Sequence, residues 1–200
     1  MFNCLLQGFP TEYQGYAINT DFRVGILLTQ LTEDESVEED LKLLQAFNLL
    51  YKDKIPEDFQ VAYSGLEWFL SCGKSEIYYE EAPQDNGDNS KSIDFAVDHL
   101  DIWGAFWSKG VDLTKVSMHW FKFMSAIGNV GDCPLTQKMQ FRSADLSKMK
   151  GDTRKYYAEL KEKYKVRKVM TKEEHDEYIK KLEKTNGSYY MKLRALNGGN

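Results

Sequence analysis

Residues 93–142 constrain this chain more than any other stretch. Three of its four tryptophans (Trp103, Trp107, Trp120) fall there, with Phe95, Phe106, Phe121 and Phe123 among them. Aromatic side chains remove more area from water than any others, so a segment this rich in them is expected to supply the core. Turn-forming residues break the stretch at Gly110–Leu113 and again at Gly128–Pro134. The pieces between read as helices. Ile93–Lys109 places Ile93, Val97, Leu100, Trp103 and Trp107 on one stripe, with Asp94, Asp98 and Asp101 as an acidic row on the other side. That row suits a cation or a basic partner; the plainer reading is a solvated face. The piece near Ser117–Ile127 is apolar almost all round, the pattern of a helix at the centre of a bundle or against a partner.

The rest of the chain supplies more helices at ordinary spacing. Tyr13 and Tyr16 flank Gln14-Gly15, a turn pair, and predict a small hairpin between Phe9 and Asn19. Thr20 is expected to cap a helix to about Leu31, with Asp21 in its first turn. Ser36 and Glu39 form a capping-box pattern ahead of Val37–Tyr51, where Val37, Leu41, Leu44 and Phe47 share a face. Pro56 suits a first helical position, and Phe59, Ala62, Leu66 and Phe69 follow on one face up to Gly73. Leu135–Phe141 makes a short helix. Tyr156, Leu160 and Tyr164 mark an amphipathic helix over Asp152–Val166, and Thr171 with Glu174 opens a charged one to about Thr185. Residues 74–92 hold turn formers and acids without apolar period, and read as a mobile acidic loop. Its carboxylates lack the spacing and closing Glu of a calcium loop. The expected architecture is mainly α: one helical-bundle domain of about seven to eight helices over residues 1–166, with a small β-hairpin within residues 5–19. A charged helical extension and frayed tail would occupy residues 167–200.

Charge is uneven along the chain. Residues 1–92 carry 17 acidic and 6 basic side chains, whereas residues 93–200 carry 14 and 20. Two solvated surfaces of opposite bias explain this, and so would an acidic and a basic face that meet, within one molecule or between copies. Cys4, Cys72 and Cys133 are odd in number and far apart, which fits free thiols in a reducing compartment. No stretch approaches the roughly 18 apolar residues of a membrane span. Met1–Leu6 is short and lacks the basic residues of a signal peptide, so a cytoplasmic protein is expected.

No local signature for nucleophilic catalysis, zinc or phosphate binding is present. His99 and His119 sit in aromatic surroundings and His175 in the charged final helix, where core or surface roles are the plain expectation. No catalytic residue, cofactor or metal is expected. The basic run from Arg142 to Lys172, interleaved with Tyr156, Tyr157 and Tyr164, is the one feature suited to nucleic acid. Glu159 and Glu162 interrupt it, and the tyrosines have core-like spacing.

Several fragments in order resemble one family. They are Leu5-Leu6 with Phe9-Pro10; Gly15–Arg23; Trp68-Phe69 with Cys72-Gly73-Lys74; Asp94-Phe95 ahead of Ile102–Phe106; Gly110–Leu113; His119–Phe123; and Arg142 with Asp145-Leu146 before a Tyr-rich Lys/Glu helix. Together, from about Leu5 to about Val166, they resemble the bacteriophage gene-product-fifteen family of long-tailed phages and prophages of Gram-positive hosts. The hairpin between Pro10 and Ile18 looks shorter than usual for that family, and residues 167–200 extend past it.

The resemblance implies a protein without enzymatic activity, whose gene usually lies between those of the major tail protein and the tape-measure protein. That is the position of tail assembly chaperones, which hold the tape-measure protein in the host cytoplasm and are absent from the finished virion. It also implies a short or frameshifted companion chaperone and leaves room for self-association. On this reading the expected contact residues are Trp103, Trp107, Trp120 and Phe123, with Lys122 and Arg142 as a polar rim. A nucleic-acid-binding or regulatory phage protein using residues 142–172, or a virion structural subunit, are the alternatives.

Overall fold

The computed structural model describes residues 3–74 and 91–166, and these belong to one unit, Met1–Val166. The acidic stretch within residues 75–90, the helix expected after Thr171 and His175 lie outside the described residues. Eight α-helices and one two-stranded hairpin are present among the described residues: α1 (Cys4–Gln7), β1 (Glu12–Tyr13), β2 (Tyr16–Ala17), α2 (Phe22–Glu33), α3 (Glu39–Leu50), α4 (Phe59–Leu70), α5 (His99–Trp107), α6 (Trp120–Gly128), α7 (Pro134–Arg142) and α8 (Gly151–Tyr164). The fold is mainly α, as the sequence predicts. No helix among the described residues is long and apolar enough to cross a membrane.

The hairpin pairs Glu12 with Ala17 and Tyr13 with Tyr16. Gln14 and Gly15 both have positive φ (49° and 81°), the backbone of a two-residue turn whose twist matches that of its strands. From there the chain runs extended between two helices. Asn19 donates to Leu50 O at 2.7 Å on one side, and Trp120 donates to Thr20 O at 2.7 Å on the other. This strap ties the hairpin to the end of α3 and the start of α6.

Helix α6 is the centre of the bundle, in line with its all-round apolar pattern. Trp120, Phe121, Phe123 and Ile127 are buried along it. Phe22 of α2, Phe69 of α4, Phe95 and Phe106 stack or tilt against Trp120 and Phe123. The indole of Trp120 lies so close to α2 that a Cβ on Gly25 would sit 2.2 Å from its ring carbons. Glycine is required there, because only a missing side chain lets the two helices approach.

Helix starts differ from expectation in instructive ways. Asp21, not Thr20, caps α2, its carboxylate accepting from the Arg23 N–H at 2.9 Å. Ser36 Oγ bonds Asp34 instead of forming a capping box, and α3 begins only at Glu39. Asp58 caps α4, so Pro56 precedes that helix rather than starting it. In each place a carboxylate near the expected start outcompetes the expected cap or follows it. On α3 the inward face carries Ala46, Phe47 and Leu50, while Leu41 and Leu44 are about half exposed.

Candidate partner-binding surface

The acidic row of the aromatic stretch has a different role from a solvated face. Asp98 is buried at 1% exposure, and Arg142, the last residue of α7, is buried beside it at 3%. The guanidinium donates to both carboxylate oxygens, at 2.5 and 2.9 Å. It also donates to Ser92 O at 3.3 Å and to Tyr164 O at 2.5 Å. Burial alone would raise the Asp98 carboxyl; the Arg142 hydrogen bonds and charge, with the Asp94 backbone, outweigh it and hold the group below its ordinary value. Arg142, expected on a polar rim, is therefore an internal clasp. Asp101 pairs with Lys138 of α7, and Asp94 accepts from the Ala96 and Val97 N–H groups.

This clasp explains the orientation of α5. Asp94 stops the expected long helix with a turn over residues 95–98, and Asp98 must face inward to meet Arg142. Ile102, Ala105 and Phe106 follow it into the core. The stripe expected to be core thus faces the other way: Val97, Leu100 and Trp107 are 44%, 70% and 54% exposed. Gly104 lies between the last two, and its Cβ position is open space. Trp103, half-buried, stacks on Trp107 with ring centroids 5.2 Å apart, and its indole N–H donates to Asp112 at 3.3 Å.

Beside Trp103 a cleft of about 410 Å³ opens between α2, α5 and the Leu113–Thr114 loop. Its walls are Phe22, Ile26, Phe95, Ile102, Trp103, Leu113 and Phe123; its polar residues are Arg23, His99 and Thr114. The loop is fixed to α2, since Arg23 donates to Leu113 O at 2.7 Å and Val116 O at 3.1 Å, and Ser117 donates to Asp21 at 2.7 Å. His119 caps α6 through Nδ1, which accepts from the Phe121 N–H at 3.1 Å, and its Nε2 lies 2.8 Å from Pro10 O. A neutral ring protonated at Nε2 satisfies both bonds, in keeping with the lowering of its pKa by burial. Both ring nitrogens of this histidine are thereby given to the fold.

Of the residues the sequence put forward as contacts, Trp107 and Lys122 are exposed and Trp103 is half-buried. Trp120, Phe123 and Arg142 are inside, at 2%, 0% and 3% exposure, where they hold the core together. Sequence reasoning missed Leu100 as a surface residue, and it missed Arg23 and His99 as neighbours of one cleft. No group of three His, Cys, Asp or Glu side chains among the described residues is placed to hold a metal ion.

The motifs singled out by sequence order converge in space. Gly15–Arg23, Gly110–Leu113 and His119–Phe123 are laced together by the bonds of Asp21, Arg23, Thr20 and Trp120. Asp94-Phe95 joins Arg142 through Asp98. No curated protein and no solved structure matches the chain. The profile of a phage family, described as Bacteriophage Gp15 protein, matches residues 4–166, which takes in every helix described above. The chain belongs to the Bacteriophage Gp15 protein family.

Proposed function

We propose that this phage protein is a non-enzymatic tail assembly chaperone, which holds the tape-measure protein in the host cytoplasm until the tail tube forms around it and is absent from the finished virion. The observation that carries this reading is the apolar stripe left in solvent along α5 and the turn before it, at Val97, Leu100 and Trp107. Scattered apolar residues are normal on a surface, but Leu100 and Trp107 flank the open Gly104 on α5, with Val97 in the turn just before that helix, and they offer a seat for another helix. A long helical chain that must stay unaggregated needs such seats, and many weak ones suffice when they recur along it.

The test is co-expression with the protein encoded immediately downstream, followed by pull-down and a solubility assay. A long helical neighbour that precipitates alone but stays soluble in a stoichiometric complex is the expected result. Replacing Leu100 and Trp107 by serine should abolish capture while the melting temperature falls by no more than a few degrees. If the two proteins ignore each other and this one retains nucleic acid on a low-salt column, the basic segment 142–172 becomes the candidate functional segment and the chaperone reading falls.

A further inference from the structure

Helix α8 sits on the rest of the unit without entering its core. None of its fourteen residues is buried, and it packs on α7 and on the 3-10 turn Leu146–Lys148. Its seat is the C-terminal end of α7. The ring of Phe141 meets both Tyr157 and Tyr164, two turns apart on one face of α8, with ring centroids 5.9 and 5.6 Å away. Arg142 Nε donates to Tyr164 O at 2.5 Å, and Lys161 donates to Ala144 O at 2.9 Å. If α8 leaves, Arg142 keeps its bonds to Asp98 and Ser92 O, so the departure strands no buried charge. The link over residues 143–150 also allows a second path. Met149 and Lys150 are already extended, with φ and ψ of −106° and 151° and of −134° and 159°. The chain then enters α8 through Gly151 at φ 58°, and glycine reaches negative φ as readily, so the same link can swing α8 away from its own α7.

We propose that α8 exchanges between copies: the α8 of one chain lies in the α7 seat of a second, and the contacts of Phe141, Arg142 and Ala144 are remade across the pair. The seat itself selects the partner. It takes an amphipathic helix with two tyrosines at the spacing of Tyr157 and Tyr164 and a backbone carbonyl in its last turn, and the α8 of another copy is that helix. Both forms make the same contacts at the seat, so concentration decides between them. A tethered α8 competes at an effective concentration on the order of 1 mM, so the exchanged form grows as free protein approaches that level. An exchanged pair presents two α5 faces at once; that consequence rests on the chaperone reading, while the exchange does not.

Photo-crosslinking of isotopically mixed protein reads the exchange directly. Tyr157 is replaced by benzoylphenylalanine, which keeps a ring beside Phe141, in full-length chains made with nitrogen-14 and with nitrogen-15. Equal amounts are mixed, held until opening of α8 has equilibrated, irradiated and digested, and the adducts of residue 157 with the Phe141 peptide are resolved by mass. Adducts that combine the two isotopes arise only between chains. Their share should rise at least ten-fold between about 10 µM and about 1 mM protein. Gly151→Ala, whose Cβ meets nothing but whose φ disfavours the fold-back, should raise that share several-fold at a given concentration.

A mixed-isotope share that stays at background at both concentrations, while same-isotope adducts show the seat to be filled, overturns the exchange. Mixed adducts that join residue 157 to other peptides and not to that of Phe141 overturn it as well, since ordinary self-association makes those. An unchanged share in Gly151→Ala overturns the assignment of the hinge. Sedimentation equilibrium of the unsubstituted protein gives a reading free of the probe: a pure monomer at about 1 mM refutes the proposal, and a dimer population that grows with concentration supports it. Capture of the downstream protein is scored separately. Its failure overturns the chaperone reading and leaves the exchange to these measurements.

Discussion

Asp98 and Arg142 hold four parts of the chain at one point: the turn before α5, the end of α7, Ser92 and the last turn of α8. Two charges taken out of water gain little net stability when paired, but a lone one left behind is costly. Asp98→Asn or Arg142→Met should therefore cost about 3–5 kcal/mol in urea unfolding, whereas Asp98→Leu combined with Arg142→Met should cost less than the sum. The acid limit follows from the sign of the shift. The folded carboxyl titrates below its ordinary 3.8, so the pair's contribution is complete above that value and is lost as pH falls through the lower, folded one. Wild type should lose stability in that window, and Asp98→Asn should show a flatter profile there. His119 acts in a milder range. Its folded pKa is lowered from 6.5 by burial, so the unfolded chain takes up the proton first and stability declines as pH falls below 6.5. His119→Asn, which can still cap α6, should remove that decline in a denaturant series run across the same pH range.

At the scale of elements, α5 shows what can and cannot be read from sequence. The existence of the helix, its aromatic content and its end near Gly110 were all legible, as were the core position of α6 and the presence of α7, which starts one residue earlier than read, at Pro134. Its facing was not. Periodicity counts apolar residues, and α5 has them on both sides, so the stripe of Val97, Leu100 and Trp107 competes evenly with that of Ile102, Ala105 and Phe106. The inward choice was decided by Asp98, whose partner Arg142 lies 44 residues away and carries no local signal. The same blindness moved Arg142 to the surface in the sequence reading, since a lone arginine is exposed by default. On α8 a one-residue error has the same root: Tyr157 and Tyr164 pack on Phe141, while Tyr156 is 57% exposed. Because Leu100 is 70% exposed and Trp107 meets the fold through its stack on Trp103, Leu100→Ser with Trp107→Ser should lower unfolding free energy by about 0.5–1.5 kcal/mol in all, most of it from the lost stack. A loss of several kcal/mol would mean that the stripe is packed in solution and is no docking face.

At the scale of the molecule, stability is expected to grade from a fixed centre to a loosely held last helix. Helix α6 buries four large side chains among α2, α4 and Phe95, whereas α8 has no buried residue and packs on α7 and the short 3-10 turn Leu146–Lys148. Helix α8 is held on α7 from one side, by contacts that include the rings of Tyr157 and Tyr164 on Phe141, Lys161 donating to Ala144 O at 2.9 Å, and Arg142 donating to Tyr164 O. An element with few buried contacts opens without unfolding the rest. Hydrogen exchange followed by mass spectrometry should therefore show the α8 amides exchanging well before those of α6, with little dependence on low denaturant. Arg142→Met should speed α8 further and also release the segment at Ser92, because one guanidinium serves both. If α8 and α6 exchange together along one denaturant-dependent line, the whole unit opens at once and the clasp at Asp98 reaches further than the groups it touches. The graded outcome would instead leave a rigid α2–α4–α6 core presenting the α5 face, with α8 free to come and go beside it without disturbing the surface where a partner helix is proposed to lie.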